Sequence, residues 1–218
     1  GKKDGYPVHG FPWAHMRYNL DKGDFVELPG MCEKGEDLRK LVGKDAYYEI
    51  FKDDHVVHLY TLREGGEAPV DHLEKLAEAF GMKVDLRNPQ TRAADARRLH
   101  YAYGMRSTQY ICEKLRAWCE ANGRKLMVIA SYDVPQVMEY LEKGTRFDQS
   151  YIDFLKAGNY TYVDFLEKSR KDYQDYSVGV ERYLERFYIE RAGAQVFGHY
   201  NPYGNFWFAH SLRDDLVA

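Results

Sequence analysis

At 218 residues and 44% hydrophobic composition, the chain is long enough to enclose one sizeable core. Thirty-one basic against 34 acidic residues leave a net charge of -3, so there is no broad basic field for nucleic acid or an anionic lipid surface. The longest aliphatic run, Leu126 to Ala130, falls far short of the roughly 20 residues that a membrane-spanning helix needs, and no membrane span is expected.

Residues 1–44 read as an irregular, aromatic-rich arm. His9-Gly10-Phe11-Pro12-Trp13 and Leu28-Pro29-Gly30 punctuate it with turns, and neither a helical nor a strand period is sustained. Trp13, His15 and Tyr18 have two readings: packing over a core edge, which this composition favours, or lining a substrate cleft.

A single domain of alternating strands and helices is expected over residues 45–218. His55-Val56-Val57-His58-Leu59-Tyr60 is rich in β-forming residues and predicts a strand. Val70, Leu73, Leu76, Ala77 and Phe80 recur at helical spacing up to Gly81, and Met82 to Leu86 predicts a second strand. Strand, helix and strand together predict a βαβ unit with parallel pairing. In a strand, His55 and His58 face opposite sides and make no metal pair. The segment Ala93 to Tyr103, with Arg92, Arg97 and Arg98 close together, is a solvated helix face or, with a partner motif, an anion site.

Ile111, Leu115, Trp118, Cys119 and Asn122 predict a helix closed by Gly123, and Lys125 to Ala130 predicts a strand buried on both faces. Cys112 and Cys119, seven residues apart on that helix, stand about 10 Å apart along its axis, beyond disulfide reach. Unpaired thiols lean toward a reducing compartment such as the cytoplasm. Ser131 and Asp133 fall at the carboxyl end of the strand, where open α/β sheets bind ligands, and are candidate site residues. The plainer account makes them a turn serine and the N-cap of a helix starting near Val134-Pro135. Helical patterns through Val137, Met138 and Leu141 and through Tyr151, Phe154 and Leu155 precede a strand at Tyr160 to Phe165. Ser177 to Arg191, with Val180, Leu184, Phe187 and Tyr188 on one face, predicts a further helix.

The last stretch is Gly198-His199-Tyr200-Asn201-Pro202-Tyr203-Gly204. Asn201 is a good helix N-cap and Pro202 suits the first helical position, so a helix starts there. Phe206, Ala209, Leu212 and Leu216 recur at three- and four-residue spacing and predict its buried stripe. His199 sits on the turn that this helix clamps, where an imidazole can serve as a general base.

The pattern His199-x-Asn201-x-x-Gly204 followed by an amphipathic helix resembles the last conserved block of the SGNH (GDSL-like) hydrolases. The order of predicted elements after residue 45 is similar to that family's central and final parts. The resemblance implies a three-layer α/β/α fold around a mainly parallel, flavodoxin-like sheet. It also implies an esterase that removes a small acyl group from a small-molecule or carbohydrate ester, without cofactor or metal. In it His199 is the base that activates a serine, and Asn201 and Gly204 support the loop. Three places depart from the family. Val196 stands where an Asp orients the histidine, and Thr61-Leu62-Arg63-Glu64-Gly65-Gly66 stands where a Gly-x-Asn-Asp oxyanion motif follows a strand. None of Ser107, Ser131, Ser150, Ser169, Ser177 or Ser211 lies on a first strand. With no initiator Met and an end at Ala218 inside an amphipathic pattern, the chain reads as a fragment whose first strand, carrying the nucleophile, lies upstream.

A second reading comes from another class: a non-catalytic α/β domain that binds a carbohydrate or protein partner through exposed aromatics. It rests on an aromatic content of 15% that includes 19 tyrosines. A metal enzyme built on the eight histidines lacks a helical His-x-x-x-His or carboxylate spacing.

Overall fold

The structure, a computed structural model, describes residues 15–30, 34–39, 53–191 and 194–217. The chain divides into two compact units, Gly1–Lys114 and Leu115–Ala218, a division that falls inside the region assigned to one domain from sequence.

In the first unit, β1 (His15–Asn19) and β2 (Asp24–Leu28) form an antiparallel hairpin with Tyr18 opposite Phe25. Asn19 makes the turn: its Oδ1 accepts from the backbone N–H of Asp21 and of Lys22, and Gly23 takes the left-handed φ of 67° that closes it. The irregular arm is therefore corrected over these residues. Tyr18 is buried, so it does not line a cleft, and Trp13 lies outside the described residues. A short helix α1 (Gly35–Arg39) follows.

The strand expected at residues 55–60 is a helix, α2 (His55–Arg63). Its buried positions, His55, His58, Leu59 and Leu62, follow a helical period, and Asp54 caps it by accepting from Val56 N–H and Val57 N–H. Burial of that stripe overrides the strand preference of two valines. Helix α3 (Asp71–Ala79) stands as predicted, but Met82 to Leu86 forms no strand, so the expected βαβ unit is absent. The extended segment instead delivers Leu86 to the core of Leu59, Leu62, Leu73, Leu76 and Leu99. The two helices predicted around residues 93 and 115 are one, α4 (Arg92–Ala121). Cys112 and Cys119 on it are buried and form no disulfide, while Ile111, Leu115 and Trp118, the predicted apolar stripe, are exposed.

In the second unit, β3 (Met127–Ala130), α5 (Val134–Lys143), α6 (Gln149–Ala157) and β4 (Thr161–Asp164) follow the predicted order, and α7 (Phe165–Tyr173) comes next. β3 and β4 pair in parallel, Met127 with Thr161 through Ala130 with Asp164. The helix predicted from Ser177 to Arg191 is shorter, α8 (Val180–Leu184), and the chain turns at Phe187 into an antiparallel hairpin of β5 (Tyr188–Arg191) and β6 (Ala194–Tyr200). Helix α9 (Pro202–Val217) closes the described chain. Its buried face matches the predicted stripe at Leu212 alone: Gly204 and Leu212 are buried, Trp207 and Phe208 are half-buried, Ala209 is exposed, and Phe206 and Leu216 are 66% and 64% exposed. Mixed α/β character holds, and among the described residues each sheet has two strands, with β3–β4 the parallel one.

Candidate functional site

The carboxyl ends of β3 and β4 carry a largely buried polar cluster. Because the pair is parallel, Ala130 and Asp164 lie side by side, and both chains turn there into helices. Asp133 caps α5 in a capping box with Gln136: its carboxylate accepts from Gln136 N–H, and its own N–H donates to the Gln136 side chain. Asp164 caps α7 by accepting from Leu166 N–H at 3.0 Å. Its other oxygen accepts from Arg146 Nη1 at 2.6 Å.

Arg146 lies between α5 and α6 and is the hub. Its Nε and Nη2 donate to the two oxygens of Asp148 at 2.8 and 3.0 Å, and Nη2 also donates to the Tyr132 hydroxyl at 2.7 Å. That hydroxyl donates in turn to Asp148 at 2.6 Å. The Arg146, Asp148 and Asp164 side chains are 7%, 4% and 9% exposed. Burial opposes the Arg146 charge, but the bonds from Asp148 and Asp164 outweigh it and hold its pKa above the ordinary value. Burial, with the bond to Asp148, pushes the Tyr132 phenol up and keeps it a neutral donor. This set ties the loop after β3, the α5–α6 loop and the end of β4 into one rigid floor. Arg146 is spoken for by two carboxylates, so it is a positioning group rather than an anion receptor.

Next to this floor runs β6. Tyr188 pairs with Tyr200 and Ile189 with Phe197, so Gly198 and His199 are extra residues in the ladder, a bulge. A Cβ placed on Gly198 would lie 3.8 Å from Asp133 Cβ, which sets the bulge against the start of α5. His199 is exposed in that bulge. The Tyr188 and Tyr200 rings pack with centroids 4.8 Å apart, tilted by 31°, on its C-terminal side, and burial followed by their mutual contact pushes the Tyr188 phenol up.

The turn after His199 is locked by one side chain. Asn201 Oδ1 accepts from Gly204 N–H at 2.8 Å, and its Nδ2 donates to the carbonyls of Arg186 at 3.0 Å and Tyr188 at 3.3 Å. The Asn201 N–H donates to the Phe187 carbonyl at 2.8 Å. A Cβ on Gly204 would overlap that same carbonyl, so only glycine lets α9 seat this closely.

The structure thus brings His199, Asn201, Gly204 and Asp133 to one end of the second unit. Ser131 is exposed in the loop straight after β3, at the same strand end. Asp133 is committed as a helix cap. Tyr132, Arg146, Asp148 and Asp164 were not singled out from sequence: Asp164 at a strand end is visible there, but nothing in the sequence joins it to Arg146. Among the described residues no group of three His, Cys, Asp or Glu side chains is disposed to hold a metal ion, and no helix is long and apolar enough to cross a membrane. The arginine group of α4 is drawn into intrachain bonds, Arg92 to Glu67 and Arg98 to Asp95. No family model, no curated protein and no solved structure matches this chain.

Proposed function

We propose that the chain is an SGNH-like hydrolase that removes a small acyl group from a small-molecule or carbohydrate ester, with His199 as general base. The observation that carries the reading is the placement of His199. It is an exposed histidine in a β-bulge, and the chain directly after it is held by the Tyr188–Tyr200 pair and by the Asn201–Gly204 lock. A base held in this way reaches a substrate without wandering, and proton transfer by a positioned side chain is worth about 100- to 10,000-fold in rate. The parallel β3–β4 pair is in keeping with the three-layer, flavodoxin-like sheet that belongs to this reading. Ser131, at the carboxyl end of β3, is the serine in the described residues best placed by topology to be tested as nucleophile.

The test is hydrolysis of a chromogenic acetate ester by the complete protein and by its His199→Ala variant, together with labelling by a fluorophosphonate probe and mapping of the labelled peptide. Turnover that drops at least 100-fold in His199→Ala, with a labelled serine, supports the reading. Absence of both turnover and label from the complete protein removes it.

One observation favours the binding-domain reading. Tyr203 and Phe206 of α9 are 48% and 66% exposed; Tyr203 packs its ring against Phe187, and Phe206 stacks on His210 at 5.8 Å. Planar exposed rings of this kind are stacking surfaces for a sugar or a partner side chain. Saturable oligosaccharide binding that Phe206→Ala abolishes, without ester turnover, decides for it.

A further inference from the structure

The first unit holds a cluster that the proposed chemistry does not use. His55 and His58, on opposite faces had α2 been a strand, share one helix face and meet His72 at the start of α3. His55 Nε2 lies 3.1 Å from the Tyr18 carbonyl of β1. A carbonyl only accepts, so Nε2 carries the proton, and Nδ1 is left as a bare lone pair, buried without a partner. His72 stacks on His55 with ring centroids 5.2 Å apart, and His72 Nε2 lies 2.9 Å from His58 Nδ1. In that last bond one nitrogen donates and the other accepts, so two imidazolium rings break it.

We propose that His55, His58 and His72 form an acid-sensitive latch, which holds the β1–β2 hairpin on helix α2 at neutral pH and lets it go on acidification. A proton added to His55 Nδ1 creates a buried N–H with no acceptor and a buried charge that nearby Asp54 offsets only in part. A second proton in the His58–His72 pair turns a bond into a repulsion. Releasing the hairpin lifts the Tyr18 carbonyl from His55 and opens all three rings to water. The neighbouring charges pull both ways: Asp53, Asp54 and Asp71 favour the protonated rings, Arg17 of β1 opposes it at His55, and Tyr103 of α4 packs its ring edge on His55. Asp54 is already engaged by Val56 and Val57. Burial wins: it is the largest cause that brings His72 down to about 4, with repulsion from His58 and His55 next, and it also lowers His55. With folded values below the unfolded 6.5, the neutral rings stabilise the closed hairpin fully above pH 6.5, and that stabilisation is lost as pH falls toward 4.

The test is amide hydrogen exchange of the full chain at pH 7.5 and 5.5, corrected for intrinsic rates. Protection of residues 16–28 falls about tenfold, the value for one linked proton over the unit below 6.5, while β3 and β4 keep theirs. His72→Gln retains a donor toward His58 Nδ1 and removes the charge, so the step shrinks to under about threefold. Equal hairpin protection at the two pH values, or an undiminished step in His72→Gln, overturns the latch. An NMR titration of the native chain reads the same point without a variant: a His72 midpoint below 5 supports the latch, and one near 6.5 overturns it.

Discussion

Asn201 does two things that one carboxylate or hydroxyl does not. Its carbonyl oxygen caps α9, and its amide group donates to two carbonyls of the turn before β5. Asp is as good an N-cap as Asn, so if capping were the whole role Asn201→Asp would be silent. Because a second carboxylate oxygen would face the Arg186 and Tyr188 carbonyls, Asn201→Asp and Asn201→Ala are both expected to cost about 1–3 kcal/mol in urea unfolding. Gly204→Ala forces α9 off the Phe187 carbonyl and is expected to cost about 2 kcal/mol, with ester turnover falling further than stability if His199 depends on that seat. Arg146→Met leaves Asp148 and Asp164 buried without their cation, at a cost of about 3–5 kcal/mol. The His199-x-Asn201-x-x-Gly204 spacing was legible in the sequence because a cap, a glycine and a helix start are local features. The Arg146 set was not, because Asp164 stands 18 residues from Arg146 and only the parallel pairing of β3 with β4 brings the loops together.

At the scale of elements, α2 and α9 show how a correct residue pattern is read on the wrong period or the wrong face. His55-Val56-Val57-His58-Leu59-Tyr60 has strand composition, yet its buried residues recur every three or four positions and Asp54 caps it. Asp54→Ala is expected to cost about 1 kcal/mol in the first unit, read from the urea midpoint. In α9 the three- and four-residue spacing fits two faces equally well. Glycine at 204 fixes the inward one, because the closest approach to Phe187 has to point at the core, and Phe208 and Leu212 follow it. Leu212→Ala is accordingly expected to cost about 2–4 kcal/mol, and Leu216→Ser, on the side predicted to be buried, less than about 0.5 kcal/mol. Both are checked by thermal or urea unfolding of the full chain.

At the scale of the whole molecule, the two units have separate buried cores: Leu59, Leu73 and Leu99 belong to one, and Val137, Leu166 and Leu184 to the other. Arg146→Met is therefore expected to lower exchange protection in β3, β4 and α7 while α2 and α3 keep theirs, and an equal loss in both units would contradict that independence. Acidification is expected to act the other way round, on the hairpin and α2. The sequence by itself determined part of the local structure of the second unit, namely β3, α5, β4 and the start of α9, but not the β5–β6 hairpin that replaces most of a predicted helix. Short-range rules such as caps, an apolar run and proline at the first helical position are enough to specify such features. Only the tertiary structure decided that residues 55–63 are helical, that the β1–β2 hairpin has a core to lie on, and that the bulge of Gly198 and His199 sets Gly198 against Asp133. Each of these depends on which distant surface a segment is buried against, and burial against a partner outweighs a local preference of a few tenths of a kcal/mol per residue.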